Sequence, residues 1–435
     1  MRWIEYLIYF FLFLLPWQTR MILRSGVLNN GNWEYGIVGI YATEILLWFL
    51  VLLNIKRLIS AKKILLGLLI FVFLSIFFTA DRLIAFQQFI HIFEAIAIFI
   101  FLTKLPIDRL KAAYAFLAGL ALQAILGIYQ FLTQSTFVSQ WLGLTLHDPA
   151  FSGASVLENL DGRWLRAYAG LPHPNIFGGY MAVGILLIAV LLACHLIGKP
   201  ARILLLVTNC FLLIGLFFSF SRSAWLGLII SLAFFWFFNR RRLIPNGSWQ
   251  LFFLSGAVPL AILSLLYTPL LTNRISSQGR LETKAIEERV VGYDEARQLF
   301  IKYPFFGVGL GNYTLAIHDK IDQSLPAWGY QPAHNVFLLI FAELGIIGVL
   351  VILLFFYYQV SERRANSFAL PSERRYQRVN TLYFSGWRFN RDLLPIFVLF
   401  FLLAIFDHYL WTLYSGLILV GVGVGLLTIM AKDDK

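Results

Sequence analysis

The sequence predicts an all-α polytopic membrane protein of about twelve transmembrane helices, and three observations predict it. Of 435 residues, 59% are hydrophobic and only 13% are charged, with a mean hydropathy of +0.75; a water-soluble globule does not carry that balance. The apolar residues gather into runs that match, or nearly match, a hydrocarbon core of about 30 Å. Between these runs sit short basic clusters, Lys56-Arg57, Lys62-Lys63, Arg240-Arg241-Arg242, Arg363-Arg364 and Arg374-Arg375, all of which fall on one side when the runs are threaded alternately through a bilayer.

Taken in order, spans are expected at 4–17, 37–55, 64–80, 83–103, 112–132, 174–196, 203–220, 223–238, 250–268, 335–357, 393–408 and 410–430. The first and eighth are short. The first run is followed by Trp17-Gln18-Thr19-Arg20 rather than a small-residue cleavage site, so it reads as an uncleaved helix. Cys194 and Cys210 both lie inside apolar runs and imply neither a disulfide framework nor a metal cluster. Placing the basic clusters in the cytoplasm puts both termini inside and leaves two long segments outside, 133–173 and 269–334. The inner segment 358–392 is basic and reads as a positive-inside tether. The formal charge of +12 is thereby explained by topology, with no nucleic-acid partner. No internal repeat of the transporter kind is evident, so the chain is treated as a single integral membrane domain, 1–435.

The most informative stretch is Gln331-Pro332-Ala333-His334-Asn335, a polar turn that opens into an apolar helix carrying Glu343-Leu344-Gly345-Ile346-Ile347-Gly348. Helical spacing puts Gly345 and Gly348 on one face, where a neighbouring helix can approach closely. His334 is placed at the membrane–water boundary, where the positive end of the helix favours a neutral, base-competent imidazole. Taken alone, the stretch fits an interfacial histidine with a packing motif behind it equally well.

Other residues frame this one. Residues 284–302 read as an amphipathic helix with Ile286, Val290, Tyr293, Ala296 and Phe300 as its apolar stripe, stopped by Pro304. Arg289 falls within the stripe and Arg297 near its edge, either snorkelling to the interface or clamping a diphosphate. Ser219-Phe220-Ser221-Arg222-Ser223 is a tight polar hairpin that places one permanent cation at the bilayer surface, as a lipid anchor or a functional group. His173-Pro174-Asn175 opens the sixth span, with Pro at a helix start; Asn175 or His173 caps that helix or binds a sugar hydroxyl. The glycines of 304–312 follow a helix in an outer loop, which excludes a nucleotide-binding turn. Glu44, His91, Glu94, His195, Glu343 and Asp407 lie at membrane depth, with His91 and Glu94 on one helix face as a satisfied polar pair or a proton path. No metal-binding motif is present, so phosphate charge would be managed by side chains.

The pattern His334-Asn335, nine residues, Gly345, two residues, Gly348 resembles the signature of the O-antigen ligase and polymerase superfamily of bacterial membrane glycosyltransferases. The likeness extends over the expected twelve-span plan, with a long outer loop holding short helices as in C-type membrane glycosyltransferases. Its specific motifs lie between about residues 170 and 350. The resemblance implies an enzyme of the inner membrane, active at the periplasmic face. It implies a polyprenyl-diphosphate-linked glycan as donor, a hydroxyl of a lipid A-core sugar or other glycan as acceptor, membrane lipids as surroundings, and no cofactor or metal. The family's functional residues carry over to Arg222 in the Ser-Arg hairpin, to the motif His334, and to Arg289 in the long loop, with Arg280 and Arg297 as alternative counterparts of the last. Asn335, His173, Asn175, Arg280 and Arg297 complete the expected substrate-binding set. A ligase, a polysaccharide polymerase and a protein O-oligosaccharyltransferase share these motifs. A lipid or polysaccharide transporter would instead line a midplane path with charge.

Overall fold

The structure, a computed structural model, describes residues 2–59, 63–151, 153–159, 162–193, 197–243, 248–276, 280–368 and 393–430. Helix α1 (Arg2–Leu14) leads into four short strands, β1 (Arg20–Arg24), β2 (Val27–Leu28), β3 (Gly31–Asn32) and β4 (Val38–Tyr41), and these into α2 (Ala42–Leu53), α3 (Ile55–Ile59), α4 (Lys63–Ser75), α5 (Arg82–Lys104) and α6 (Arg109–Thr133). A hairpin of β5 (Val156–Asn159) and β6 (Gly162–Leu165) precedes α7 (Pro174–Ala193), α8 (Lys199–Ser219), α9 (Arg222–Leu243) and α10 (Ser248–Leu266). There follow α11 (Thr268–Ser276), α12 (Arg280–Lys302), α13 (Tyr313–Lys320), α14 (Val336–Phe368), α15 (Leu394–Phe406), α16 (Tyr409–Thr412) and α17 (Tyr414–Met430).

Helix starts follow side-chain chemistry. The Asp81 carboxylate accepts from the amides of Leu83 and Ile84 at 3.0 and 3.1 Å and so begins α5; Asp108 does the same for α6 through Lys111. Among the described residues, seven helices, α5 to α10 and the first part of α14, are long and apolar enough to cross a membrane, and shorter apolar helices lie at Trp3–Leu14, Ala42–Leu53, Leu69–Phe78, Leu394–Phe406 and Tyr414–Met430. With Leu132, Ile229, Phe253 and Leu265 exposed on the outside of the bundle, apolar side chains face outward as a lipid solvent requires.

Helix α7 is the axis of the bundle. All of it but its last residue is buried, and it packs against α6, α8, α9, α10, α15 and α17. Gly178 lets this axis approach the turn between α8 and α9 closely: a Cβ there would stand 2.8 Å from the Ser221 Cβ and 2.9 Å from the Ser219 Oγ. A second, smaller core joins Trp33 and Val38 to Ala296, Leu299, Tyr313, Ile317 and Leu339. It seats α12, α13 and the strands of the N-terminal segment over the end of the bundle where α5 and α14 begin.

Three expectations are corrected. The fold is mostly helical rather than all-helical, with three two-stranded antiparallel pairs, β1–β4, β2–β3 and β5–β6; residues 38–41 of the expected second span are strand. Helix α12 begins at Arg280 and buries Glu282, Gly292, Ala296 and Leu299, whereas Ile286 and Val290 are exposed. The apolar stripe read from spacing is therefore packed only in its second half, at Tyr293, Ala296 and Phe300, because only that part of the helix lies against the head of α14. Gly345 does not share a helix face with Gly348: at φ 62° and ψ −170° it breaks α14, a conformation that favours glycine. The break admits the backbone of 304–309. The amides of Val308 and Gly309 donate to the carbonyls of Ala342 and Glu343 at 2.9 Å, and that of Ile346 donates to the Pro304 carbonyl at 2.8 Å. Glycine here serves a loop, not a helix. The expected twelve spans compare with seven helices of full crossing length and five shorter apolar helices among the described residues. Cys194, His195, Arg374, Arg375 and most of the basic segment 358–392 lie outside the described residues.

Candidate functional site

The turn before α14 places His334 because Asn335 caps the helix. The Asn335 Oδ1 accepts from the amides of Phe337 and Leu338 at 2.9 and 3.1 Å, which fixes the first turn and commits that side chain to the backbone. His334 stands just outside, its side chain 31% exposed, with Nδ1 3.6 Å from the Asp407 Oδ1. That separation is too long for a hydrogen bond, but it aims one ring nitrogen at a carboxylate and leaves Nε2 on the opposite side of the ring. Tyr293 of α12 donates to the His334 carbonyl at 3.4 Å, the longest link in this group.

Asp407 sits in the break between α15 and α16 and is buried. Its Oδ1 accepts from the His408 amide at 2.8 Å, and its Oδ2 accepts from the Asn175 Nδ2 at 2.7 Å. Asn175 in turn accepts at Oδ1 from the Arg166 Nη2 at 2.7 Å. Arg166 is itself fixed by donating to the Ser219 carbonyl at 2.8 Å and to the Ser155 Oγ at 2.9 Å. One continuous network thus runs from the α8–α9 turn through Arg166 and Asn175 to Asp407. Both the amide oxygen and the amide nitrogen of Asn175 are engaged in this network.

Two more histidines border the carboxylate. His408 packs its ring against that of His334 at 5.1 Å and against Tyr35 at 5.9 Å, and its Nδ1 meets the Thr412 Oγ1 at 2.7 Å. His173 accepts at Nδ1 from the Asn175 amide at 3.1 Å. Burial, and after it the charge of Arg166, pushes the His173 imidazole down to about 3, so it stays neutral and, with Nδ1 accepting, has its Nε2–H to donate to a hydroxyl group. The ligand atoms of His334, Asp407 and His408 lie within 4.8 Å of one another; this trio could hold a cation, although Asp407 is already engaged by Asn175.

The cationic side of the site is built around a carboxylate as well. Arg222, beside the left-handed turn at Phe220 (φ 47°), pairs its Nη2 with the Glu282 Oε2 at 2.9 Å and donates to the Arg274 carbonyl at 3.2 Å. Arg274 pairs with the other Glu282 oxygen and donates to the Phe220 carbonyl at 3.1 Å. Burial lowers the Arg274 guanidinium from its ordinary value. Glu282 opposes that shift, and the charges of Arg222 and Arg289 add to it. Arg289 is half-buried, and among the described residues no carboxylate is paired with it. The two other loop arginines stand apart: Arg280 pairs with Glu158 at 2.9 Å and Arg297 with Asp294 at 2.8 Å, both largely exposed.

Among the residues expected from sequence, the structure gathers Arg222 and Arg289 in one cationic group and His334, His173 and Asn175 in one imidazole–carboxylate group. Arg166, close enough to feel the charges of Arg274 and Arg222, joins the two. Arg166, Arg274, Glu282, Asp407 and His408 were not anticipated as members. Only Asp407-His408, an acid and an imidazole interrupting an apolar run, left a signal that spacing could have found.

Residues 207–353 match the family model described as O-antigen ligase, a segment that holds Arg222, Arg274, Glu282, Arg289 and His334 but not Arg166, His173, Asn175, Asp407 or His408. A search of curated proteins finds no match. Over the segment 207–353 the chain, a membrane protein, is thus similar to the O-antigen ligase family.

Proposed function

We propose that the protein is a ligase-type glycosyltransferase. It moves a glycan from a polyprenyl-diphosphate carrier to a hydroxyl of a lipid A-core sugar at the periplasmic face of the bacterial inner membrane, with both termini cytoplasmic. The observation that carries this reading is the convergence of a carboxylate-oriented histidine with a group of arginines around one hydrogen-bond network. Asp407 orients His334 through Nδ1, and Nε2 takes the proton from the acceptor hydroxyl. The hydroxyl oxygen attacks the anomeric carbon, the bond from that carbon to the diphosphate breaks, and the electron pair leaves on the diphosphate. Direct displacement inverts the carbon. Arg289, lacking a carboxylate partner among the described residues, and Arg222, with Arg274 behind it, stabilise the developing negative charge without a metal ion. Each such contact contributes about 3 kcal/mol, or roughly a hundredfold in rate. His173 receives a sugar hydroxyl.

An apolar groove of about 710 Å³ supports the choice of a lipid-linked donor. It is lined by Val336, Phe337, Ile340, Phe397, Phe401 and Trp411 among others, and begins two residues beyond His334. Its dimensions suit an isoprenoid chain whose diphosphate ends at the arginines. The test is reconstitution of the pure protein with lipid-linked glycan, with and without lipid A core. Transfer only when the core is present supports the ligase. Chain growth without it would make the protein a polymerase, and transfer to polypeptide a protein O-oligosaccharyltransferase.

A further inference from the structure

A second cluster of ionisable groups lies inside the bundle, made of Glu44 near the start of α2 and of His91 and Glu94 on α5. Exposures are 4%, 2% and 0%. His91 lies about 14 Å along the helix from Arg82, at 1.5 Å per residue. The His91 Nε2 is 3.2 Å from the Glu44 Oε1, and one ligand atom from each of the three residues lies within 4.8 Å of the others. Glu44 spends its second oxygen on the Tyr41 amide. Glu94 has Glu44 and the Trp48 indole beside it, yet neither Glu94 oxygen is in hydrogen-bonding geometry with a partner, and nor is the His91 Nε2. Among the described residues no lysine or arginine pairs with either carboxylate.

Three unsatisfied polar atoms this deep are costly, because buried charge persists only when it is paired or bound to a metal. As metal ligands, two carboxylates and an imidazole would supply a charge of −2, which one divalent cation cancels. Two oxygens and a nitrogen are the donor set of borderline first-row ions rather than of magnesium or calcium. A bound zinc ion would stand about 2.0–2.2 Å from each ligand atom. A path also exists. His91 lines a cavity of about 70 Å³ together with Arg20, Glu34, Tyr35 and Gln88. That is space for several waters, and it joins His91 to the polar N-terminal segment, where Arg20 and Glu34 carry opposite charges.

We infer that Glu44, His91 and Glu94 form a binding site for a first-row divalent cation, zinc foremost, whose fourth position opens to water in this cavity. The ion ties α2 to α5 beneath the cap and is separate from the arginines assigned to the diphosphate, so its role is structural. The site depends on no part of the proposed transfer reaction.

The test uses the full-length protein in nanodiscs. After loading with zinc and desalting, metal analysis should find one equivalent tied to this cluster, and zinc should raise Tm. Glu94→Gln and His91→Gln should lose that equivalent and the rise in Tm, while His334→Ala keeps both. Cobalt in place of zinc should give visible d–d bands of a four-coordinate nitrogen–oxygen site in the wild type, which keeps the test available should the cluster variants not fold. Wild type that retains no zinc and shows no shift in Tm would overturn the assignment. So would zinc retained in full by Glu94→Gln, or an infrared band of protonated carboxyl, absent in Glu94→Gln, that persists after zinc is added to the wild type.

Discussion

His334 and His91 each face a carboxylate, at 3.6 and 3.2 Å, and yet the two places differ in everything that decides chemistry. Asp407 receives donors from Asn175 and the His408 amide, and a network from Arg166 holds it in place. His334 is partly exposed beside it. The Glu44–His91–Glu94 cluster is enclosed and short of donors. A carboxylate held by amides and guanidinium groups can stay ionised while it orients a histidine that meets substrate, which suits proton transfer. A carboxylate pair short of donors is an incomplete site that a cation would complete. The same residue types serve two purposes because their surroundings differ.

Substitutions can break that comparison, and the largest effect is expected at His334. His334→Ala should remain folded, since a partly exposed side chain contributes little packing, and turnover of lipid-linked glycan should fall by about 10² to 10⁴. Near-normal turnover in a folded variant would make this histidine structural. Asp407→Asn keeps the shape and removes the charge. Loss of an orienting interaction of about 1.5–3 kcal/mol lowers kcat by roughly tenfold to a hundredfold with little change in donor KM. An Asp407→Asn enzyme that loses donor affinity instead would place Asp407 on the substrate-binding side.

Arg222→Ala should cost about a hundredfold in kcat/KM, and Arg222→Lys should recover only part of it, because the planar fork that matches both Glu282 and a diphosphate is gone. Full recovery by lysine would reduce the role of Arg222 to bare charge. The smallest effect concerns the cap. Burial, then Asp322 and Asp294, raise the Glu295 carboxyl from 4.5 to about 7. Because the folded state favours the protonated form, the cap should be most stable below 4.5 and lose stability as pH rises to about 7. Glu295→Gln should flatten that slope in melting curves recorded between about pH 5 and pH 8; an unchanged slope would assign it to other groups.

Much of the arrangement was legible along the chain. Apolar runs bounded by charge marked the apolar helices. A polar turn before one of them marked His334, and a lone arginine in a serine hairpin marked Arg222, because each signal is local. Spacing failed where the partner is remote. The face that α12 buries depends on Gly292 lying against the backbone and Cβ of Ala333, and the break at Gly345 depends on a loop that inserts there. Neither leaves a period in the sequence.

The sequence by itself determined that the chain is a helical membrane protein with a histidine at the head of one helix and arginines in the loop before it, since hydrophobicity and capping act between near neighbours. Only the tertiary structure decided which groups meet. Asp407 comes to His334 from 73 residues away in the chain. Glu282 pairs with both Arg222 and Arg274, and Glu44 reaches His91 across two helices. Such contacts arise from packing around α7 and from the closure of the cap, in which distant segments are brought together by burial that no short stretch of sequence encodes.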